Sequence, residues 1–173
     1  ALEASAKYEL VLEAFARADQ TRGKTLIAEL ERDYGSSPYV DQAHLLAASS
    51  AVSAGRLDEA AANLSRVVES SSDRELALIA RLRLARVQVA QNKLDDALKT
   101  LAPEEPGAFA ARFHEVRGDV YFEKGDKANA LKEYRAARER GIVSSPGTEV
   151  LDLKINDLVA DAGPATPPAT KAN

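Results

Sequence analysis

The side chains best suited to bind a metal ion in this sequence are its two histidines, His44 and His114. Imidazole is a common metal ligand, so the two could in principle form a pair. They lie far apart in the chain, which has no cysteine to complete a site. Each falls at the same place in a repeated helical unit, where a packing residue is expected. We therefore interpret both as packing residues and predict neither a metal nor another cofactor.

Neighbouring carboxylates are the next candidates, because paired acids perform general acid–base catalysis. Asp95-Asp96 and Glu104-Glu105 are such pairs. Adjacent residues of a helix do not face each other, however, and Asp58-Glu59 and Asp95-Asp96 fall in first turns, where negative charge complements the helix dipole. The sequence also contains no glycine-rich phosphate loop and no Ser-His-Asp order. These observations predict a protein that is not an enzyme.

A third group is basic: Arg81, Arg83 and Arg86 follow one another closely in the sequence. They could bind an anionic partner, or they could form a solvated helix face. The formal net charge of the whole chain is −4. Nucleic-acid-binding proteins carry a basic surface, so no nucleic-acid partner is predicted.

These side chains must be positioned by helices. The chain has 173 residues, 29% of them charged, with 5% aromatic residues and no tryptophan, which favours packed helices over a sheet. The longest apolar runs are short, and none could span a bilayer. Methionine is absent even from position 1. We therefore expect a processed form or part of a longer protein, with a preceding signal or membrane anchor missing.

A repeated unit organises the helices. A glycine or asparagine marks each predicted hairpin turn, and an alanine follows five residues later: Gly23 and Ala28, Gly55 and Ala60, Asn92 and Ala97, Gly125 and Ala130. Gly and Asn tolerate the left-handed conformation at a helix end, and Ala lets the two helices approach closely. The turns recur at close to the ~34 residues of a tetratricopeptide unit. The sequence therefore predicts four helix hairpins.

The ends of the predicted helices carry local signals. The first helix is expected from Leu2 to about Gln20, broken by Gly23. Ser37-Pro38 and Ser145-Pro146 read as an N-cap followed by proline, and begin the third and ninth helices. Ser72 with Glu75 fits a capping box at the start of the fifth helix.

The fifth and sixth helices have distinctive patterns. Apolar residues on more than one stripe predict that the fifth helix, which runs to about Gln91, is covered by neighbours on two sides. The sixth is expected at 94–101, ended by Pro103 and Pro106.

The stretch from His114 to Arg140 is the best example of the repeat. It follows the tetratricopeptide pattern of Gly-x2-Tyr on the first helix and Ala-x3-aromatic on the second, with Gly118, Tyr121, Ala130, Tyr134 and Ala137 on the packing faces. We predict an all-α, tetratricopeptide-like solenoid of about four hairpins plus a C-terminal capping helix over residues 1–160. Residues 161–173, rich in Pro and Ala, are predicted to form a disordered tail.

The predicted binding surface is the concave face, which the first helix of each hairpin lines. The repeat alignment places ten residues there: Leu45, Ser49, Val52, Leu82, Arg86, Val89, Arg112, Glu115, Asp119 and Phe122. This mixture of apolar and charged residues is typical of a groove that binds a protein segment. For Leu82 and Val89 the alternative is core packing between repeats.

Three stretches resemble a known family: 82–101, LRLARVQVAQNKLDDALKTL; 117–131, RGDVYFEKGDKANAL; and 153–158, LKINDL. They are similar to the periplasmic domain of the YfgM-type ancillary subunit of the Sec translocon in proteobacteria. The resemblance implies a non-enzymatic protein-interaction module at the periplasmic face of the inner membrane, tethered by an N-terminal membrane helix. It also implies Sec translocon subunits and a membrane-anchored parvulin-type periplasmic chaperone as partners, and unfolded client segments as possible ones.

Two alternatives stay open at this point. One is a generic repeat scaffold, and the other is the accessory subunit of an enzyme. The enzyme alternative lacks a convergent set of titratable residues that can be named from the sequence.

Overall fold

The computed structural model describes residues 2–102, 106–141 and 146–161. These residues form α-helices, one 3₁₀ turn at Gly107–Phe109 and no strand. In chain order the helices are α1 (Leu2–Ala16), α2 (Gln20–Tyr34), α3 (Pro38–Ser53), α4 (Leu57–Ser70), α5 (Arg74–Ala90), α6 (Leu94–Leu101), α7 (Ala110–Glu123), α8 (Lys127–Arg140) and α9 (Pro146–Asp161). The predicted all-α fold of helix hairpins is confirmed.

The chain divides into two compact units, Ala1–Glu104 and Glu105–Asn173. In the first unit, α1 pairs with α2, α3 with α4, and α5 with α6. One buried cluster joins α1, α2 and α3, and a second joins α3, α4 and α5. Helix α3 therefore contributes to both clusters, which makes the first unit a continuous stack.

The second unit consists of the α7–α8 hairpin and α9. Leu151, Ile155 and Leu158 of α9 join Ala130 and Tyr134 of α8 in one buried cluster. Helix α9 thus covers the apolar edge of the last hairpin, as a terminal cap of a repeat array does. The predicted tail lies outside the described residues, except that Asp161 still belongs to α9.

Three of the four predicted hairpin turns are confirmed. Gly55, Asn92 and Gly125 have positive φ angles of 72°, 59° and 76°. The alanines that follow them, Ala60, Ala97 and Ala130, are all 0% exposed. Since glycine and asparagine adopt the left-handed conformation most easily, these residues end the first helix of each hairpin.

The first turn was predicted at the wrong residue. Helix α1 ends at Ala16, and the left-handed residue is Ala18, with φ of 58°. Gly23 lies inside α2 and is buried, and a Cβ added there would lie 2.8 Å from the ring of Phe15. Gly23 therefore occupies the close-packing position that Ala60 holds in the next hairpin, whereas Ala28 is exposed.

The cap of α5 also differs from its prediction by one residue. The side chain of Asp73, rather than Ser72, accepts hydrogen bonds from the backbone N–H groups of Glu75 and Leu76, at 2.9 and 3.1 Å. Ser37 caps α3 as predicted. The cap predicted at Ser145 lies outside the described residues.

Helix α5 is buried on more than one side, as its sequence predicted. One side of α5 buries Leu78, Leu82 and Ala85, and another part of its circumference buries Leu84 and Val87. This happens because α5 packs against both α4 and α6. A helix in the middle of a stack needs apolar residues around most of its circumference. The burial of α5 therefore fixes which of its side chains remain available at the surface.

Candidate functional site

An open cleft of about 340 Å³ lies in the first unit, where α3 and α5 meet above α4. Helices α3 and α5 are the first helices of two successive hairpins. The residues that line the cleft are Leu45, Ala48, Ser49, Val52, Ser53, Leu57, Leu64, Arg83, Arg86, Val87 and Ala90.

The walls of this cleft follow from helix geometry. Leu45, Ser49 and Val52 lie four and three residues apart on α3 and therefore share one face. Leu57 and Leu64 belong to α4 and form the floor, where Leu64 is 1% exposed. The cleft thus has an apolar base continuous with the buried cluster of α3, α4 and α5.

The mouth of the cleft exposes an apolar side chain. Val52 is 45% exposed although it lies beside a buried apolar floor. Scattered exposed apolar residues are normal, but one placed at an apolar concavity is typical of a binding site. Val52 therefore adds an exposed apolar side chain to the lining of the cleft.

The opposite wall is basic. Arg83 and Arg86 are exposed and lie three residues apart on α5. Within the described part of the chain, neither guanidinium has an ion pair or hydrogen bond. The cleft therefore combines an apolar floor with two free cationic groups on one side.

Four of the ten predicted surface residues come together here: Leu45, Ser49, Val52 and Arg86. Leu82 does not line the cleft, because it is buried in the core and only 6% exposed. For Leu82 the core alternative therefore describes the structure. Val89 is half-buried and lies outside the lining of the cleft.

The prediction left out Arg83 and the α4 residues Leu57 and Leu64. In the sequence, Arg83 stands out only as part of a basic run. Its one-turn spacing from Arg86 was the signal that could have placed it on the same surface. No sequence signal marks the two leucines as cleft residues, because their pattern is that of any core-facing helix.

The remaining predicted residues lie on α7 in the second unit. Arg112 pairs with Glu115 at 2.6 Å. Lys154 of α9 lies 3.6 Å from Glu115 and 2.6 Å from Asp119. Phe122 is 48% exposed. Both predicted acidic residues therefore form ion pairs with the capping helix, a link that was not predicted.

Asp119 also accepts a hydrogen bond from the hydroxyl of Tyr134 at 2.8 Å. Burial, reinforced by this bond and by the charge of Asp119, raises the pKa of Tyr134 far above its usual value. The hydroxyl therefore stays protonated and serves as a donor. Tyr134, Asp119 and Lys154 thus link α7, α8 and α9.

A polar side chain bridges the two helices in each of the later hairpins. His44 Nδ1 lies 2.8 Å from Asn63 Oδ1, Arg81 Nη1 donates to the backbone oxygen of Thr100 at 3.2 Å, and His114 Nδ1 lies 2.7 Å from Glu133 Oε2. In all three cases the partner is 19 residues further along the chain. The two histidines thus hold corresponding structural positions, as the sequence indicated.

The histidines have partners other than a metal. His44 Nε2 lies 3.1 Å from a carboxylate oxygen of Glu31, and Arg117 lies 2.9 Å from His114 Nδ1. No group of three or more metal-ligating side chains is found among residues 2–102, 106–141 and 146–161. In the same ranges no helix is both long and apolar enough to cross a membrane.

Comparison with known proteins gives the family. The family model for a tetratricopeptide repeat-like domain matches residues 1–160. The ancillary SecYEG translocon subunit of Neisseria gonorrhoeae is 32% identical over 149 residues, which cover 86% of this chain and 71% of that protein. The Haemophilus influenzae protein of the same name is 30% identical over 156 residues, 90% of this chain and 75% of the relative.

The Escherichia coli protein, also named an ancillary SecYEG translocon subunit, is 37% identical over 134 residues. That match covers 76% of this chain and 61% of the relative. The repeat-like family model spans most of the chain, and the helix hairpins agree with it. The chain therefore belongs to the tetratricopeptide repeat-like family of ancillary SecYEG translocon subunits.

Proposed function

We propose that this chain is a non-enzymatic protein-interaction domain that binds a segment of a Sec translocon or of a protein associated with it. The observation that carries the proposal is the α3–α5 cleft, with its apolar floor and exposed Val52, in a chain whose relatives are named translocon subunits. Stacked hairpins commonly use such concave surfaces to hold peptide segments.

The proposal extends to the setting in which the domain works. The domain is held at the periplasmic face of the inner membrane by an N-terminal membrane helix that precedes it. Its partners there are translocon subunits and a membrane-anchored parvulin-type chaperone, with emerging unfolded polypeptides as further clients. The family membership and the resemblance of residues 82–101, 117–131 and 153–158 support this setting.

The second unit contributes a smaller surface. Phe122 and Arg112 are exposed on α7, while Glu115 and Asp119 are held by Lys154. Because charges that are already paired offer little to a partner, we assign the main contact to the cleft of the first unit. Phe122 is proposed as an additional apolar contact.

Site-specific photo-crosslinking in the full-length, membrane-tethered protein tests this function. A photoreactive amino acid at Val52, in the mouth of the cleft, is expected to capture a translocon subunit or its chaperone partner. The matched control is Ala62, which is exposed on α4 and does not line the cleft. Equal capture from both positions, or no capture from Val52, would place the contact elsewhere on the protein.

A further inference from the structure

Resting on the proposed function, we infer that the α3–α5 cleft selects an amphipathic helix whose apolar face is flanked by carboxylate side chains one turn apart. The apolar face covers Val52 and the floor of the cleft. The carboxylates pair with Arg83 and Arg86. The occupant is thus a helical segment with an acidic flank, recognised by both features together.

The shape of the cleft supports a helix lying over it. A helix with its side chains is ~10–12 Å wide, and the cleft of about 340 Å³ is open to solvent, so a helix can lie across it. Individual apolar side chains of such a helix do fit into it. Leu45, Ser49 and Val52 line one face of α3 over nearly two turns, so they can accept side chains that recur at i, i+3, i+4 and i+7.

The positive charges of Arg83 and Arg86 favour acidic side chains on the flank of the bound helix. Arg83 and Arg86 are one turn apart on α5 and have no acidic partner within the described part of the chain. Most other cations near the surface are paired; Lys24 and Arg56, for example, both bind Glu59, at 3.0 Å each. Two free guanidinium groups in a chain of net charge −4 form a local positive field next to an apolar surface.

The spacing of these arginines favours a helix over a chain terminus. Side chains three or four residues apart on a helix are ~5–6 Å apart, so two carboxylates one turn apart on the bound helix can each face one guanidinium. A single C-terminal carboxylate could bridge both guanidinium groups, as Glu59 bridges Lys24 and Arg56, but it would balance only one of their two charges. Planar guanidinium groups are well suited to this pairing, because they bind carboxylates through two parallel hydrogen bonds.

Fluorescence anisotropy of labelled synthetic peptides with the purified 173-residue chain tests the inference. The probe is a peptide of about five helical turns with leucines at i, i+3, i+4 and i+7 and glutamates one turn apart on the flank. Three comparison peptides replace the glutamates with lysines, add a central proline that breaks the helix, or amidate the C-terminus. We expect the acidic and the amidated peptides to bind alike, and the lysine and proline peptides to bind at least tenfold more weakly.

Variants of the protein locate the contact. The double variant Arg83→Gln with Arg86→Gln should bind the acidic peptide about five- to tenfold more weakly than the wild type does. This is the combined effect of losing two exposed charge pairs. That loss should disappear near ~1 M salt, where charges are screened within ~3 Å. Arg22→Gln with Arg135→Gln removes the same charge from exposed positions outside the cleft and should leave binding unchanged.

Several outcomes would overturn the inference. Equal binding of the lysine peptide, equal binding of the proline peptide, or dependence on a free C-terminus would each contradict an acidic-flanked helix as the occupant. Capture of a translocon subunit from Val52 together with any of these results would leave the proposed function intact. Acidic-peptide binding without any such capture would instead support the cleft chemistry and contradict the proposed partner.

Discussion

Replacing Gly118 by alanine tests the packing of the α7–α8 hairpin. Gly118 is buried on α7 directly against the ring of Tyr134, and a Cβ added there would overlap that ring. The ring cannot easily move away. Tyr134 is 2% exposed, its hydroxyl is bound to Asp119, and Lys154 lies 5.3 Å from the ring centroid.

Two opposing terms set the size of the effect. Alanine is favoured over glycine within a helix by ~1 kcal/mol. Overpacking a well-filled core costs ~1–3 kcal/mol, and the restrained ring places this substitution toward the upper end of that range. The overpacking term therefore wins, and we expect Gly118→Ala to destabilise the hairpin by about 1–2 kcal/mol.

Hydrogen exchange measured by mass spectrometry is the appropriate assay, because it reports on α7 and α8 separately from the helices of the first unit. Gly118→Ala should speed exchange in peptides from α7 and α8 and leave α1–α4 unchanged. In a Tyr134→Leu background, where the ring is absent, the same alanine should be neutral or stabilising. Unchanged or slower exchange of Gly118→Ala in the wild-type background would refute the packing argument.

Three further predictions concern stability, each measured by urea denaturation. Ala130→Glu should lower the free energy of unfolding by at least the ~1–3 kcal/mol of overpacking, since Ala130 is 0% exposed. An unchanged urea midpoint would show that the repeat alignment is wrong. Asp73→Ala should lower the free energy of unfolding by about 1 kcal/mol because it removes the N-cap of α5. Asp73→Asn should keep most of the stability that the cap provides. Burial opposes ionisation of Glu133, but hydrogen bonds from His114 and Arg117 outweigh it and lower its pKa. The resulting stabilisation is present above the ordinary carboxyl pKa of about 4.3 and is lost as the pH falls further. Glu133→Gln should therefore lower the free energy of unfolding at neutral pH and have little effect on it in acid. A difference in stability between variant and wild type that does not change with pH would contradict this linkage.

The repeat was predictable because its signals are local. A glycine or asparagine at Gly55, Asn92 and Gly125, each followed by a small buried residue, reports the turn and the close approach of two helices at once. At the first hairpin the same two roles are held by Ala18 and Gly23. Alanine has no special preference for a positive φ, so nothing in the local sequence marks that turn.

The candidate site was only partly predictable, because it depends on which faces the stack leaves open. Periodicity placed Leu45, Ser49 and Val52 together on α3. It could not show that α5 turns Leu82 into the core while presenting Arg83 and Arg86 to solvent, since α5 has apolar residues on several stripes. The contact of Lys154 with Asp119 joins residues 35 positions apart, and no sequence pattern indicates it.

The most direct test of the central claim is recovery of translocon subunits with the full-length, membrane-tethered protein when the cleft is filled. Ser49→Trp places a large ring in the cleft from an exposed position, and Ala62→Trp places the same ring on α4 outside it. With both variants shown to be folded by circular dichroism, we predict that Ser49→Trp strongly reduces recovery and that Ala62→Trp leaves it at the wild-type level. Equal recovery with Ser49→Trp and the wild type would contradict the claim that this cleft binds the partner.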